Sequence, residues 1–461
     1  MKGFIQKFTN IQHEEVPVVL ASGFFFFCLL TALMVLRPAR EALGMESGLD
    51  TVRWLFLGTA FFTLLVNPIF GFLVSRLRRF TFVATTYLFF AASLFVFYLF
   101  LVLAPDTMGQ VSGRVFYVWY SVFNLFNTMV FWATMADTYK LEQSKRLFGT
   151  IAVGGTLGAI FGPWLTSVLA VPWGTASMLL ISIVFLLLGV AAARTVFRFS
   201  ASMDYANTAS QNPAAAAAVK LDKDDIIGGS AWAGFREVAT SPYLLGIAGY
   251  VLFIAIIGTF LYFTRLNLVA AVGDDIDLRT TIFAQIDIIT QLTTLFLQLI
   301  VTGHIMKRLG VAITLAILPI VVIFGMIGLA LVGSLAALIV FEAIYRAVQR
   351  AIMRPARETL FTVIEKEEKY KAKAFIDTFV YRGGDVVGAW TEGLITRLGM
   401  GLFALASITI PMAIVWGALG IWLGLQQRDK AQQQAGDNAL QQTTNAGGNP
   451  GLTKESLSTT S

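Results

Sequence analysis

Glu342, Arg346 and Arg350 recur at i, i+4 and i+8 inside an otherwise apolar run, with Gln349 beside them. That spacing stacks them on one face of a helix. Asp287, Gln291, Thr294 and Gln298 recur at i, i+4, i+7 and i+11 in a second run, and Asp377, Tyr381 and Asp385 at i, i+4 and i+8 in a third. Arg382 and Glu392 stand in that third run as well, Arg37, Arg40, Glu41 and Arg265 stand in or at the ends of other apolar runs, and Asn124, Asn127 and Thr128 share one more. Guanidinium groups suit bidentate binding of phosphate or carboxylate. The pattern therefore predicts an aqueous cavity for an organic anion, with Arg37, Arg265, Asp287, Gln291, Glu342, Arg346, Arg350, Arg382, Asp385, Asn124 and Asn127 as its candidate lining. A structural reading stands beside this one: Glu342 with Arg346, and Arg382 with Asp385, also sit at spacings where a pair neutralises itself within one helix.

The elements that must hold these side chains are membrane spans. The 461-residue chain is 56% hydrophobic and only 13% charged, with a mean hydropathy of +0.72, so most of its apolar surface faces lipid. Apolar runs of the ~20 residues a bilayer requires fall near 18–36, 54–74, 80–103, 116–135, 148–170 and 173–193, and again near 243–264, 281–301, 311–332, 335–352, 375–395 and 402–425. The expected fold is an all-α membrane protein with twelve spans: a first bundle in residues 1–197, a linker at 198–241, a second bundle at 242–425 and an unstructured tail at 426–461. The end of the linker, Ile226 to Phe235, reads as a short amphipathic helix on the membrane surface. Met1 to Pro17 is polar and leads directly into the first span, which is expected to stay in the protein.

One cysteine, Cys28, and two histidines, His13 and His304, exclude a disulfide within the chain and argue against a Cys/His metal site. No His-Glu-x-x-His helix and no nucleophile–base pair occurs, so an enzyme is not expected, nor any cofactor. The net charge of +6 reflects basic loops rather than nucleic-acid binding. Those loops carry Arg76, Arg78 and Arg79, then Lys140, Lys145 and Arg146, then Lys307 and Arg308, then Lys366 to Lys373, and they alternate with loops poor in Lys and Arg. The alternation predicts both termini in the cytoplasm, in a cell inner membrane. Asp137, Lys145, Arg146, Arg354 and Arg357 near the cytoplasmic span ends, with Arg76 and Arg308 in the loops, are candidate gate residues.

The third, sixth, ninth and twelfth spans contain no Asp, Glu, Lys or Arg. Charge inside a bilayer is tolerated where it faces protein or water, so the partition supports a polar pathway through the others. An internal repeat of roughly 230 residues pairs Gly71-Phe-Leu-Val-Ser75-Arg76-Leu-Arg78-Arg79 with Gly303-His-Ile-Met-Lys307-Arg308-Leu-Gly310, and Gly154-Gly155 with Gly383-Gly384. Gly154, Gly155, Gly158 and Gly162 are expected to allow close helix packing.

The loop motif resembles the major facilitator signature Gly-x-x-x-Asp-Arg-x-Gly-Arg-Arg, with Ser75 or Lys307 in place of the Asp. The resemblance implies the major facilitator fold, two pseudo-symmetric six-helix bundles rocking about a central site. More narrowly, Leu36-Arg-Pro-Ala-Arg-Glu41, Ala136-Asp-Thr-Tyr139, Gln143 to Gly149, Glu367 to Lys373 and Tyr381 to Asp385 look like the bacterial branch of the ATP/ADP translocase family, over roughly residues 21–425. This implies exchange of a nucleotide or another phosphorylated metabolite by a monomer in the lipid bilayer. Proton-coupled symport of an organic anion, with Asp287, Asp385 or Glu392 carrying the proton, is an alternative. A lipid translocator or membrane sensor on the same fold is a third.

Overall fold

A computed structural model describes residues 12, 15–76, 79–139, 141–210 and 231–447. Helix α1 (Val16–Met45) begins on one face, here the entry face, and crosses to the distal face. Helices α2 (Leu49–Arg76), α3 (Arg79–Leu103), α4 (Pro105–Thr138), α5 (Leu141–Trp173) and α6 (Ser177–Ser210) follow in alternating direction. A short helix α7 (Ala231–Thr240) leads into α8 (Pro242–Ala270) and α9 (Ile276–Val332). Gly310, at φ +73°, reverses the chain within α9, a backbone geometry that glycine adopts without a Cβ penalty. Its two limbs are separate spans. The tenth crossing is α10 (Leu335–Val348), continued by a π-helical turn Gln349–Met353 and the short helix Arg354–Thr359. The eleventh is α11 (Lys366–Phe375), a π-helical turn Ile376–Val380 and α12 (Tyr381–Arg397), and α13 (Leu402–Gly447) closes the bundle.

Among the described residues nine stretches are long and apolar enough to cross a membrane: α1, α2, α3, α5, α6, α8, both limbs of α9, and α13. The three crossings missing from that set are α4, α10 and α11–α12, which carry many of the polar stripes. These three are the less apolar crossings, and the π-helical turns interrupt two of them.

Each half has its own apolar core. One joins Phe25, Leu29 and Leu36 to Tyr87, Phe123 and Phe131, and the other joins Ile247, Tyr250 and Phe260 to Leu315, Leu338 and Trp416. A smaller cluster spans the halves at the distal end, where Ala42, Met45 and Tyr117 meet Tyr262, Phe263, Leu266 and Phe283. Within the halves the glycines do what their spacing predicts. A methyl on Gly154 would lie 2.0 Å from the Gly23 carbonyl oxygen, and one on Gly158 2.4 Å from that of Phe27, so α5 rests on the α1 backbone. In the second half Gly384 and Gly388 bring α12 against Ala255 and Ile256 of α8 in the same way. The repeat of roughly 230 residues is thus a repeat of helix packing, although Gly383 meets nothing within 4 Å.

Two boundaries differ from expectation. Residues 426–447 continue α13 as helix rather than forming an unstructured tail; Gln, Ala and Arg are good helix formers and extend a helix already nucleated in the membrane. The linker's short helix falls at Ala231–Thr240 rather than at 226–235, and it is seated against α11 with Val238 buried in the second core. Residues 211–230 and 448–461, and the side chains of Ser75, Arg76, Lys145 and Lys307, lie outside the described residues.

Gly154→Ala is expected to cost about 1–3 kcal/mol and lower the melting temperature of the purified protein. Gly383→Ala, with open space around the new methyl, is expected to leave it unchanged or slightly raised; thermal unfolding of the two variants checks the contrast.

Candidate functional site

The polar side chains converge on a cavity of about 440 Å³ between the bundles. Arg37, Arg40, Glu41 and Met34 of α1, Phe56 and Thr59 of α2, and Tyr120, Ser121 and Asn124 of α4 form one wall. Thr259, Tyr262 and Arg265 of α8, Arg346, Gln349 and Arg350 from the tenth crossing, and Tyr381, Arg382 and Asp385 of α12 form the other. Its volume lies in the roughly 300–1,000 Å³ range of small-molecule sites. A larger groove of about 780 Å³ lies elsewhere, between α2, α3 and α4, and is almost wholly apolar.

Two arginines tie the halves together reciprocally. Arg37 of α1 reaches Asp287 of α9 at 3.3 Å, while Arg265 of α8 reaches back to Glu41 of α1 at 3.6 Å. The two arginines occupy matching positions in the repeat. Arg265 is 1% exposed and also pairs with Glu342 at 3.3 Å, and Glu342 is held at 2.7 Å by Arg346 Nε. Tyr262 donates its hydroxyl to Glu41 and shares a 2.7 Å hydrogen bond with Tyr117 across the interface. Arg40 pairs with Glu41 at 3.0 Å and lies 3.6 Å over the Tyr117 ring, a cation–π contact. Arg382 pairs with Asp385 at 3.2 Å, and Thr259 donates to Asp385 at 3.3 Å.

Arg350 differs from the others. It donates to the amide oxygen of Gln291 and has no carboxylate partner among the described residues. Around the cavity Arg37, Arg40, Arg265, Arg346, Arg350 and Arg382 face Glu41, Asp287, Glu342 and Asp385, leaving two positive charges in excess. Such an excess in a low-dielectric site attracts an anion.

The distal side of the cavity is sealed. Arg53 of α2 bonds Glu392 of α12 at 2.6 Å in a buried pair, and also bonds Asp50; Arg397 reaches Asp50 at 3.4 Å, and Asn267 donates to Glu392 at 3.1 Å. Gly393 makes room for Arg53, since a methyl there would lie 2.5 Å from its Nε. The Thr175 amide donates to Asp277 at 2.6 Å, and the Thr175 and Thr280 hydroxyls bond at 2.8 Å.

The predicted residues divide accordingly. Arg37, Arg265, Arg346, Arg350, Arg382, Asp385 and Asn124 line the cavity, and Asp287, Gln291 and Glu342 hold its arginines from behind. Asn127 does not reach it: it is buried between α1 and α4, donating to the Leu29 carbonyl at 3.0 Å. Among the gate candidates, Arg146 clasps Glu15 at 2.6 and 2.8 Å, and Arg357 pairs with Glu358 and Asp377 at 3.3 Å, each within its own half. Asp137, Arg308 and Arg354 are exposed. Sequence spacing missed Tyr120, Tyr262, Tyr345 and Thr259 as lining, and Arg53 with Glu392 as a seal. Tyrosines on apolar faces carry no periodic signal, and partners more than 300 positions apart carry no local one.

Two helical bundles packed around a charged cavity at their interface define a membrane transporter. The sequence matches the Major Facilitator Superfamily over residues 18–345, and the chain belongs to that family. No curated protein sequence matches it. Its fold is similar to a bacterial homologue of the iron transporter ferroportin in an inward-facing state (TM-score 0.60, 11% identity, 90% of this chain and 100% of that one). It is also similar to a bacterial homologue of the human lysosomal transporter Spinster, inward-facing and unoccupied (0.55, 14%, 91% and 99%), and to the POT family transporter PepTSo (0.53, 14%, 92% and 98%).

Burial raises the Glu15 carboxyl's affinity for protons, but the Arg146 guanidinium, the Gln12 amide and Gln143 together outweigh it and hold the group below the ordinary carboxylate value. A depressed folded-state value stabilises the fold at neutral pH and loses that contribution as pH falls through it. Glu15→Gln is therefore expected to melt lower than the parent at neutral pH, with the gap closing in acid, as melting curves across pH will report. At the distal seal, Glu392→Gln is expected to raise labelling of a Ser121→Cys reporter from that side in a Cys28→Ser background, read by membrane-impermeant maleimide.

Proposed function

We propose that this protein is a secondary transporter that moves an anionic organic solute, a nucleotide or another phosphorylated metabolite, by exchange through alternating access. The observation that carries the reading is the cavity's excess of arginine over carboxylate, with Arg350 held, among the described residues, by the Gln291 amide alone. An arginine so placed keeps donors for a phosphate or carboxylate oxygen. The resemblance to ATP/ADP translocases in the Arg37 to Glu41 and Tyr381 to Asp385 segments supports a phosphorylated substrate. Basic loops on the entry face favour that face as cytoplasmic, in a cell inner membrane. The sealed distal layer then corresponds to a state open toward the cytoplasm.

Exchange follows from the same electrostatics. An empty cavity with two uncompensated cations is costly to occlude, by about several kcal/mol per buried ion, whereas a bound anion compensates them. The return step then favours a loaded carrier. Asp385, a cavity carboxylate held by Thr259 and Arg382, favours a second reading in which a proton is cotransported.

Purified protein in liposomes separates the two. Under the exchange reading, uptake of labelled nucleotide or sugar phosphate requires the same class of anion inside and ignores collapse of a pH gradient; uptake into empty vesicles driven by that gradient establishes symport. Arg350→Gln is expected to weaken anion affinity about tenfold or more, measured as loss of ligand-induced thermal stabilisation without loss of folded protein. An unchanged affinity removes Arg350 from the site.

A further inference from the structure

The large apolar groove between α2, α3 and α4 is independent of the central cavity. Helix α4 turns Tyr120, Ser121 and Asn124 toward the cavity and Val115, Val118 and Val122 toward the groove. Helix α2 divides likewise, Phe56 and Thr59 against Phe62 and Val66. The groove holds about 780 Å³, and among the described residues its one charged lining residue is Arg114.

Arg114 stands at the distal end of that groove. Its Nε donates to Ser47 Oγ at 2.9 Å, and Ser47 belongs to the turn joining α1 to α2 on the distal face. That bond fixes the guanidinium at the level where the helices leave the membrane. The side chain is exposed and has no carboxylate partner among the described residues. From Arg114 to Phe126 the lining of α4 extends ~18 Å at 1.5 Å per residue. One leaflet's share of a roughly 30 Å hydrocarbon core is about 15 Å. The groove is thus one leaflet deep, apolar along its length and cationic at its headgroup end.

We infer that this groove is a binding site for an anionic phospholipid of the distal leaflet, with an acyl chain lying against α2, α3 and α4 and the phosphate on Arg114. Zwitterionic lipid fits the apolar trough equally well, so the cation is what selects. The choice of a lipid over a soluble phosphate rests on the trough, which a free anion leaves unused.

The test uses the full-length protein, delipidated in detergent and titrated with phosphatidylglycerol or phosphatidylcholine of the same chains, with bound lipid counted by native mass spectrometry. The expected result is about fivefold tighter retention of phosphatidylglycerol, the factor for one interfacial basic residue. Arg114→Gln should reduce it to the phosphatidylcholine level at an unchanged lipid-free melting temperature, and Arg114→Lys should retain most of it. Val115→Trp, which fills the trough at an exposed position, should lower retention of both lipids. Equal retention by the parent, or a preference that survives Arg114→Gln, overturns the site and leaves unselective annular lipid. A dimer that forms on lipid removal and is abolished by Val115→Trp also overturns it, in favour of a second copy covering the groove.

Discussion

The fully buried Arg265, held between Glu41 of one bundle and Glu342 of its own, is the contact on which the rest of the arrangement depends. A guanidinium taken out of water is tolerable only while it is paired. Here one of its two carboxylates belongs to the opposite bundle, so the distal ends of the halves cannot part without uncovering charge. Tyr262, Tyr117 and Arg40 add to the same knot from both sides. Separation therefore requires that water or an anion take over what Glu41 supplies. In an exchanger that requirement is useful, because it couples the state of the seal to what occupies the cavity immediately beneath it.

The reciprocal pair Arg37–Asp287 shows that this is a property of the repeat rather than of one residue. Matching positions in α1 and α8 each send an arginine to a carboxylate of the other half. Glycines at matching positions in α5 and α12 let each of those helices approach its partner's backbone. Close packing within a half and charge pairing between halves are different kinds of adhesion. Packed backbones give rigid bundles, since an interior at crystal-like density deforms little. Ion pairs between bundles exchange partners without any change in packing. The division between rigid body and rearrangeable interface follows from which residues the sequence puts on which helix face.

Much of this was legible in sequence because bilayers impose simple rules. Span positions followed from run length, and the charge-free third, sixth, ninth and twelfth spans marked the helices remote from the pathway. Of the stripe Glu342, Arg346 and Arg350, the two arginines line the cavity and Glu342 stands buried behind them. Helical periodicity fixes an azimuth, however, and neither a depth nor a partner. Asn127 shares a stripe with Asn124 yet spends its amide on the Leu29 carbonyl, because one turn along α4 the neighbour is α1 rather than the cavity. Charges near the basic loops read as gates, while the contacts that join the halves include Arg53–Glu392 and Arg265–Glu41 at the other end. Which side is closed depends on a conformational equilibrium between two packings of the same sequence, and local spacing carries no record of it.

The electrostatic balance of the cavity limits what the site can carry. Five of its six arginines already have carboxylate partners, so an incoming anion meets a network in which most of the charge is spoken for. A monovalent carboxylate would satisfy Arg350 and leave one positive charge over. A phosphate ester near its second ionisation brings close to two negative charges, matching the excess of two and offering oxygens to Arg350 and to the partly exposed Arg346 and Arg382 together. Pairing the excess fully is what makes an occluded, water-poor intermediate accessible. Under the proposed anion transport, a dianion is expected to cross more readily than a monoanion of the same size, because only the dianion leaves no uncompensated positive charge behind when the bundles close over it.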